Sequence, residues 1–407
     1  MKLFFDDPDF DGQLQRALSY ARHAGADPGE CLATAKGIAP GDRDSWYQEW
    51  AATASRLRQE AEDRQAAGHL VSARENFLRA SNYWRTAEFY VRDGADGRSL
   101  EGWLGNRDCF VAAARLLDHP VEQITIPYGE STLPGYLMSP DASARPQPTI
   151  LTMTGLDGTA EEVYFGIGAA ALQRGYTVLI YDGPGQGGPA RQQGTSLRPD
   201  WEAVVTPVLD YAISRPEVDA SRIALVGRSF GGYLAPRAAT AEHRLAALVA
   251  DPGEVDEGQM AARRMPQELY HAALSGDPAA EAALDKAFSD PARRFFMRAR
   301  MRFFGVDTYS DFLRRTSEFR YDPAAIRCPT LVCDNVADAV AGGQSRMLYD
   351  ALTCPKRYLL FTEDMGTAGH CEGLGQSVFQ EHVLDWLDET LGSRPAPAEQ
   401  PVVHGGR

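Results

Sequence analysis

No two of the six cysteines stand in C-x-x-C spacing; Cys31, Cys109, Cys328, Cys333, Cys354 and Cys371 are scattered along 407 residues. That pattern argues against a metal site and a disulfide framework, and suits a reducing cytoplasm. The chain also lacks any run of about 18 apolar residues, so no membrane-spanning helix is expected. Met1-Lys2-Leu3-Phe4-Phe5-Asp6-Asp7 is too short and too acidic for a signal peptide. Positive charge is in deficit. The net charge of −15 argues against nucleic acid and anionic membranes as main partners. What remains is an ordinary globular balance, 44% apolar and 24% charged, long enough for one large domain or two medium ones.

Strand signals are absent from residues 10–118, which read as helix after helix. Trp46 to Ala66 forms one long amphipathic pattern. Leu70, Ala73, Phe77, Ala80, Tyr83, Trp84, Ala87 and Tyr90 form another at three- and four-residue steps. No period near 34 residues recurs, so a tetratricopeptide array is not expected. After Pro120 the pattern changes. Val121–Pro127 and Leu133–Met138 alternate as strands around a turn at Tyr128–Thr132. Thr149–Met153, Tyr176–Tyr181, Ile223–Val226 and Leu245–Ala250 then alternate with helices at Asp200–Ser214 and Tyr233–Glu242. Such alternation predicts a mostly parallel sheet with helices on both faces. Residues 254–322 revert to helix. Thr330–Asp334 and Arg357–Phe361 then resume the sheet, and Ser377–Leu391 is the last helix. The expected division is a helical N-terminal cap domain at 1–118, core segments at 119–253 and 326–393, a helical lid insertion at 254–325, and a disordered tail at 394–407. Within the insertion, Ala292 to Phe304 carries Arg293, Arg294, Arg298, Arg300 and Arg302 beside Met297, Met301 and Phe304. A lid helix with a solvated arginine face is favoured over a membrane-surface helix, given the acidic chain.

The chemistry centres on Gly227-Arg228-Ser229-Phe230-Gly231, a G-x-S-x-G between the strand Arg222–Val226 and a helix. That is the setting a nucleophile elbow requires. A sharp turn exposes the hydroxyl, glycines admit close backbone approach, and the helix N-terminus faces a developing oxyanion. An activated serine needs a base, and the base an orienting acid, in the chain order serine, acid, histidine. Asp334 closes the strand Thr330–Asp334 and Asp338 lies four residues on; Asp338, in a loop, is preferred as the acid. His370, in the glycine-bearing loop Glu363–Cys371, is preferred over His382, inside the last helix. The expected oxyanion donors are the N–H of Phe230 and, from the loop Thr154-Gly155-Leu156-Asp157-Gly158, the N–H of Leu156. Gly155 is expected beside the substrate. Gly183-Pro184-Gly185-Gln186-Gly187-Gly188 matches G-x-G-x-x-G. Pro189 and a polar stretch follow it instead of a helix and a further strand, so nucleotide binding is not expected.

These motifs, with Leu197–Glu202, Arg215–Asp219 and Thr154–Glu162, resemble the α/β-hydrolase superfamily. Within it they look like the group of dihydroxypseudooxynicotine hydrolase and the fungal polyketide-shortening hydrolases. The resemblance covers roughly residues 120–390. It implies an α/β-hydrolase fold, no cofactor, and serine-dependent hydrolysis of a C–C bond beside a ketone. The implied substrate is a small molecule, an aryl ketone or a polyketide-like β-diketone. It also implies an assisting glutamate near the oxyanion loop, where Glu161 and Glu162 both fall. Arg228 departs from the pattern and is open to two readings, contact with an acidic substrate or exposure to solvent. Ester, lactone or thioester hydrolysis and acyl transfer share the same triad. A non-catalytic helical interaction module on an inactive hydrolase fold is the competing class. A homodimer stays open.

Overall fold

The computed structural model describes residues 2–92, 96–338 and 340–392; the expected tail at 394–407 lies outside them. The N-terminal region is built from α1 (Pro8–Leu18), α2 (Pro28–Gly37), α3 (Arg43–Ala66), α4 (Leu70–Glu88) and α5 (Arg98–Ala114). Asp7 and Asp27 cap α1 and α2 through their carboxylates, each followed by proline at the first helical position. The helices bury an aromatic core of Phe5, Phe10, Trp46, Trp50, Tyr83 and Tyr90. Each such side chain contributes roughly 1.5–3 kcal/mol by leaving water. Trp46 also donates its indole N–H to Thr86 O at 2.8 Å.

The sheet follows, with β1 (Val121–Tyr128), β2 (Ser131–Met138), β3 (Gln147–Met153), β4 (Thr177–Tyr181), β5 (Val218–Arg228), β6 (Ala247–Asp251), β7 (Thr330–Asn335) and β8 (Lys356–Phe361). All eight strands coincide with runs expected from the sequence. Their spatial order is β1-β2-β4-β3-β5-β6-β7-β8. β2 is antiparallel to both neighbours, and every pairing from β4 to β8 is parallel. The central strands are buried on both faces, as their unbroken apolar runs require. The connecting helices are α6 (Ala160–Val163), α7 (Ala169–Gln173), α8 (Gly187–Gln192), α9 (Glu202–Ile213) and α10 (Gly231–Ala239). The insertion supplies α11 (Glu257–Arg263), α12 (Gln267–Ser275), α13 (Pro278–Ala287), α14 (Pro291–Phe304) and α15 (Tyr309–Ser317). α16 (Gln344–Ala351) and α17 (Gln376–Leu391) complete the chain. Among the described residues no helix is long and apolar enough to cross a membrane.

Two expectations need correcting. A helix does follow the glycine-rich loop at once: α8 begins at Gly187 and takes Pro189 into its first turn, where a missing N–H costs nothing. The loop is nonetheless filled by the protein itself, since residues 182–190 are all buried. A Cβ on Gly187 would lie 1.7 Å from an Asp182 carboxylate oxygen. The arginine face of α14 is not uniformly solvated either. Arg293 and Arg298 are exposed, whereas Arg294, Arg300 and Arg302 are half-buried. Phe295 of the same helix enters the aromatic core of the N-terminal region. Packing against that region turns part of the charged stripe inward.

Candidate active site

β5 ends in the elbow. Ser229 has φ 55°, a left-handed conformation that costs an L-residue energy and is held here by its surroundings. Its N–H donates to Asp251 O at 2.7 Å. Glycine is required on both sides. A Cβ on Gly227 would lie 1.9 Å from Gly231 O, and one on Gly232 would lie 1.9 Å from Pro252 O. The elbow directs Ser229 Oγ to His370 Nε2 at 2.8 Å. His370 Nδ1 is 2.8 Å from Asp338 Oδ2. The second Asp338 oxygen accepts from Val340 N–H at 2.7 Å. Asp338 is thus the acid that meets the ring. Asp334 instead accepts from the Tyr358 hydroxyl and from Asn335 N–H. His382 packs beside Phe361, away from the elbow. Asn335 Nδ2 donates to Thr367 O at 2.6 Å, tying the acid loop to the histidine loop.

Burial alone would push Asp338 up, but the bond and charge of His370 hold its carboxyl below the usual range. Burial works against a charged His370. The adjacent Cys371 sulfur, 3.6 Å from Nε2, and Asp338 work for it, and the net displacement is upward. The ring is 35% exposed, so solvent protons reach it.

The loop after β3 lies against the elbow. A Cβ on Gly155 would sit 2.8 Å from Ser229 Cβ and 3.0 Å from Phe230 N. Gln186 Nε2 donates to Thr154 O at 2.6 Å and Gly155 O at 2.9 Å. In a trans peptide the carbonyl and the following N–H point oppositely. Gln186 therefore turns Leu156 N–H away from the glycine-rich loop. Nothing in the sequence pattern singled out Gln186, whose role depends on a contact 31 residues distant.

The two glutamates of α6 part company. Glu162 lines a cavity of about 300 Å³ together with Ser229, His370, Gly155, Arg16 and Asp157. It accepts from Arg16 at 2.7 and 2.6 Å and from Tyr20 OH at 2.9 Å. Burial would raise its carboxyl, but Arg16 and Arg85 hold it down and ionised. Glu161 points elsewhere, accepting from Tyr136 OH at 2.6 Å and facing Asp182. Burial, then the charge of Glu161, pushes Asp182 up to about 7.

Of the two readings open to it, exposure to solvent does not hold for Arg228: it lines the Ser229 cavity, largely buried. It donates to Asp251 at 2.8 Å, Gln376 at 2.7 Å, Cys371 O at 2.8 Å and Glu372 at 2.9 Å, and stacks 3.9 Å over the Phe379 ring. The site also contains a group without a sequence signature. Glu254 is 2% exposed, its N–H bonds Gly232 O, and His370, Asp338 and Glu257 all act on its carboxyl. Burial, then Glu257, raises it well above the carboxylate range.

Residues 15–293 match the family model described as "Esterase FrsA-like". Hydrolase LUC6 of a Fusarium species is 34% identical, over 97% of this chain and 99% of its own. The 20-hydroxy-prefusarin hydrolase FUS2 of Gibberella moniliformis is 36% identical over 94% and 96%. The crystal structure of 2,6-dihydroxy-pseudo-oxynicotine hydrolase superposes with a TM-score of 0.72 at 23% identity, covering 93% of this chain and 97% of that one. With the eight-stranded order and the elbow in view, the chain belongs to the FrsA-like esterase family and is an α/β-hydrolase.

Proposed function

We propose that this hydrolase cleaves the C–C bond beside a ketone in an aryl ketone or polyketide-like β-diketone, with Ser229 as nucleophile. The observation that carries the reading is the unbroken relay Ser229–His370–Asp338, at 2.8 and 2.8 Å, opening on the cavity described above. Ser229 Oγ adds to the carbonyl carbon as His370 takes its proton. The N–H groups of Phe230 and Leu156 receive the oxyanion. Collapse breaks the C–C bond, and the departing enolate carbon takes the proton from the His370 imidazolium. Water, deprotonated by the same ring, then hydrolyses the acyl-serine to a carboxylic acid. Residues 1–118 serve as a cap: Arg16 and Tyr20 from the N-terminal region wall the cavity. The names of the fungal relatives support a polyketide-like substrate.

Incubation with 1-phenyl-1,3-butanedione is expected to release one carboxylic acid and one methyl ketone per turnover. Fast hydrolysis of 4-nitrophenyl acetate with the diketone left intact would replace this reading with ester hydrolysis. A fluorophosphonate probe is expected to label Ser229. Only neutral His370 can take a proton, and its displacement is upward from 6.5. Activity is therefore lost as pH falls through a value above 6.5, and the acid limb of kcat/KM against pH should lie there. A limb on the acid side of 6.5 would contradict the assignment.

A further inference from the structure

Helix α14 carries a cation that its surroundings do not neutralise. Phe296, Arg300 and Phe304 are spaced by four and share one face of the helix. Phe296 packs on Phe89 and Tyr90, at centroid distances of 6.3 and 6.4 Å. Phe304 lies edge-on to Phe230, the residue after the nucleophile, at 5.7 Å. Arg300 therefore stands between the helical cap and the elbow. Its charged neighbours are Arg264, Glu257, Asp157 and Glu254. Among the described residues no hydrogen bond or ion pair reaches its guanidinium.

A second cation lies nearby, sharing with Arg300 the neighbour Asp157, which lines the Ser229 cavity. Arg92, at the cap's edge, is 5% exposed, stacks 3.7 Å over Phe89 and has Nη1 3.2 Å from Asp157 Oδ2. Its Nε meets no acceptor among the described residues. The carboxylates nearby do not balance this charge. Asp157 and Glu162 are ionised but already serve Arg16, Arg85 and Arg92. Burial raises both Glu254 and Glu257, the latter to about 7, and Glu257 raises Glu254 further, so the two carry less than two negative charges at neutral pH. Arginine stays charged whatever its surroundings. A cation drawn partly out of water with no carboxylate bonded to it is costly, and an anion entering the site offsets that cost.

We propose that the substrate presents a carboxylate to Arg300 and Arg92 while its reacting carbonyl lies over Ser229. This rests on the serine-hydrolase reading above and adds to it a substrate class: an acid, not a neutral ketone or ester. The acid-binding role that the sequence left open for Arg228 belongs instead to a lid residue 72 positions later in the numbering, at Arg300. Planar guanidinium groups suit this task because they bind carboxylate oxygens in pairs.

The test uses 4-nitrophenyl half-esters of succinic, glutaric and adipic acid against the same esters with the free acid methylated. The readout is the ratio of kcat/KM for the acid to that for its methyl ester. Native protein is expected to prefer the acid at one chain length at least. Arg300→Gln should cut that ratio by about 10- to 100-fold, as for a lost charge-assisted hydrogen bond. Arg300→Lys should retain an intermediate preference. A ratio within one preparation is insensitive to partial loss of folded protein. A native ratio near one, or a preference that survives in Arg300→Gln, overturns the proposal. A second arm measures 4-phenylbutyrate binding to Ser229→Ala and to Ser229→Ala/Arg300→Gln by calorimetry. Weaker binding to the double variant is expected. If Ser229 of the native chain resists the fluorophosphonate while this loss is seen, the nucleophile assignment fails and the acid site stands. Equal binding to both variants overturns the acid site alone.

Discussion

Ser229→Ala is expected to lower turnover by about a million-fold and to abolish fluorophosphonate labelling, and His370→Ala should cost nearly as much. The two losses should not add. Each residue is useless without the other, because the hydroxyl is nucleophilic only while Nε2, at 2.8 Å, can take its proton. The double variant should therefore retain about the activity of either single one, residual turnover coming from the oxyanion donors and substrate binding. Steady-state kinetics on the four proteins, with thermal melts to verify folding, makes the comparison. Loss of less than about a hundred-fold in His370→Ala would move the base elsewhere.

The second large effect belongs to the acid. Asp338→Asn is expected to lower kcat by about ten-thousand-fold with little change in fold. An amide at this position can still touch Nδ1. Its NH2 group favours the tautomer with the proton on Nε2, which can no longer accept from Ser229. Losing the negative charge also removes a cause of the upward displacement of His370, so the acid limb of the pH profile should move down. Asp334→Asn supplies the contrast. Its carboxylate serves Tyr358 and Asn335 N–H, and activity should stay within about twofold. Equal losses in the two variants would show that the choice between them was wrongly made.

Local pattern made the core legible. Buried parallel strands leave unbroken apolar runs, and all eight could be read. The elbow and the Asp338/His370 order could be read because a fixed topology ties chain order to position. What escaped depended on partners far away in sequence. Glu161 and Glu162 differ by one step of a helix only four residues long, so periodicity cannot tell which faces Arg16. Arg228 looked free because Asp251 and Glu372 arrive from other connections. α8 was hidden by Gly187, Gly188 and Pro189, all poor helix formers; its first turn is stabilised by tertiary contact, with Gly188 N–H donating to Asp182 at 3.2 Å. Glu254 belongs to no motif, and Gln186 sits at a variable position of one. Arg300 read as a solvated residue because charge on a helix usually faces water.

The clamp made by Arg228 has a consequence for how this scaffold tolerates change. One guanidinium, next in the chain to the nucleophile, grips the backbone and side chain of the two residues that follow His370. Two parts of the chain 141 residues apart are thereby held at working separation by a rivet independent of the cap and lid. New specificities can accumulate in the helices above while the reacting pair beneath keeps its spacing.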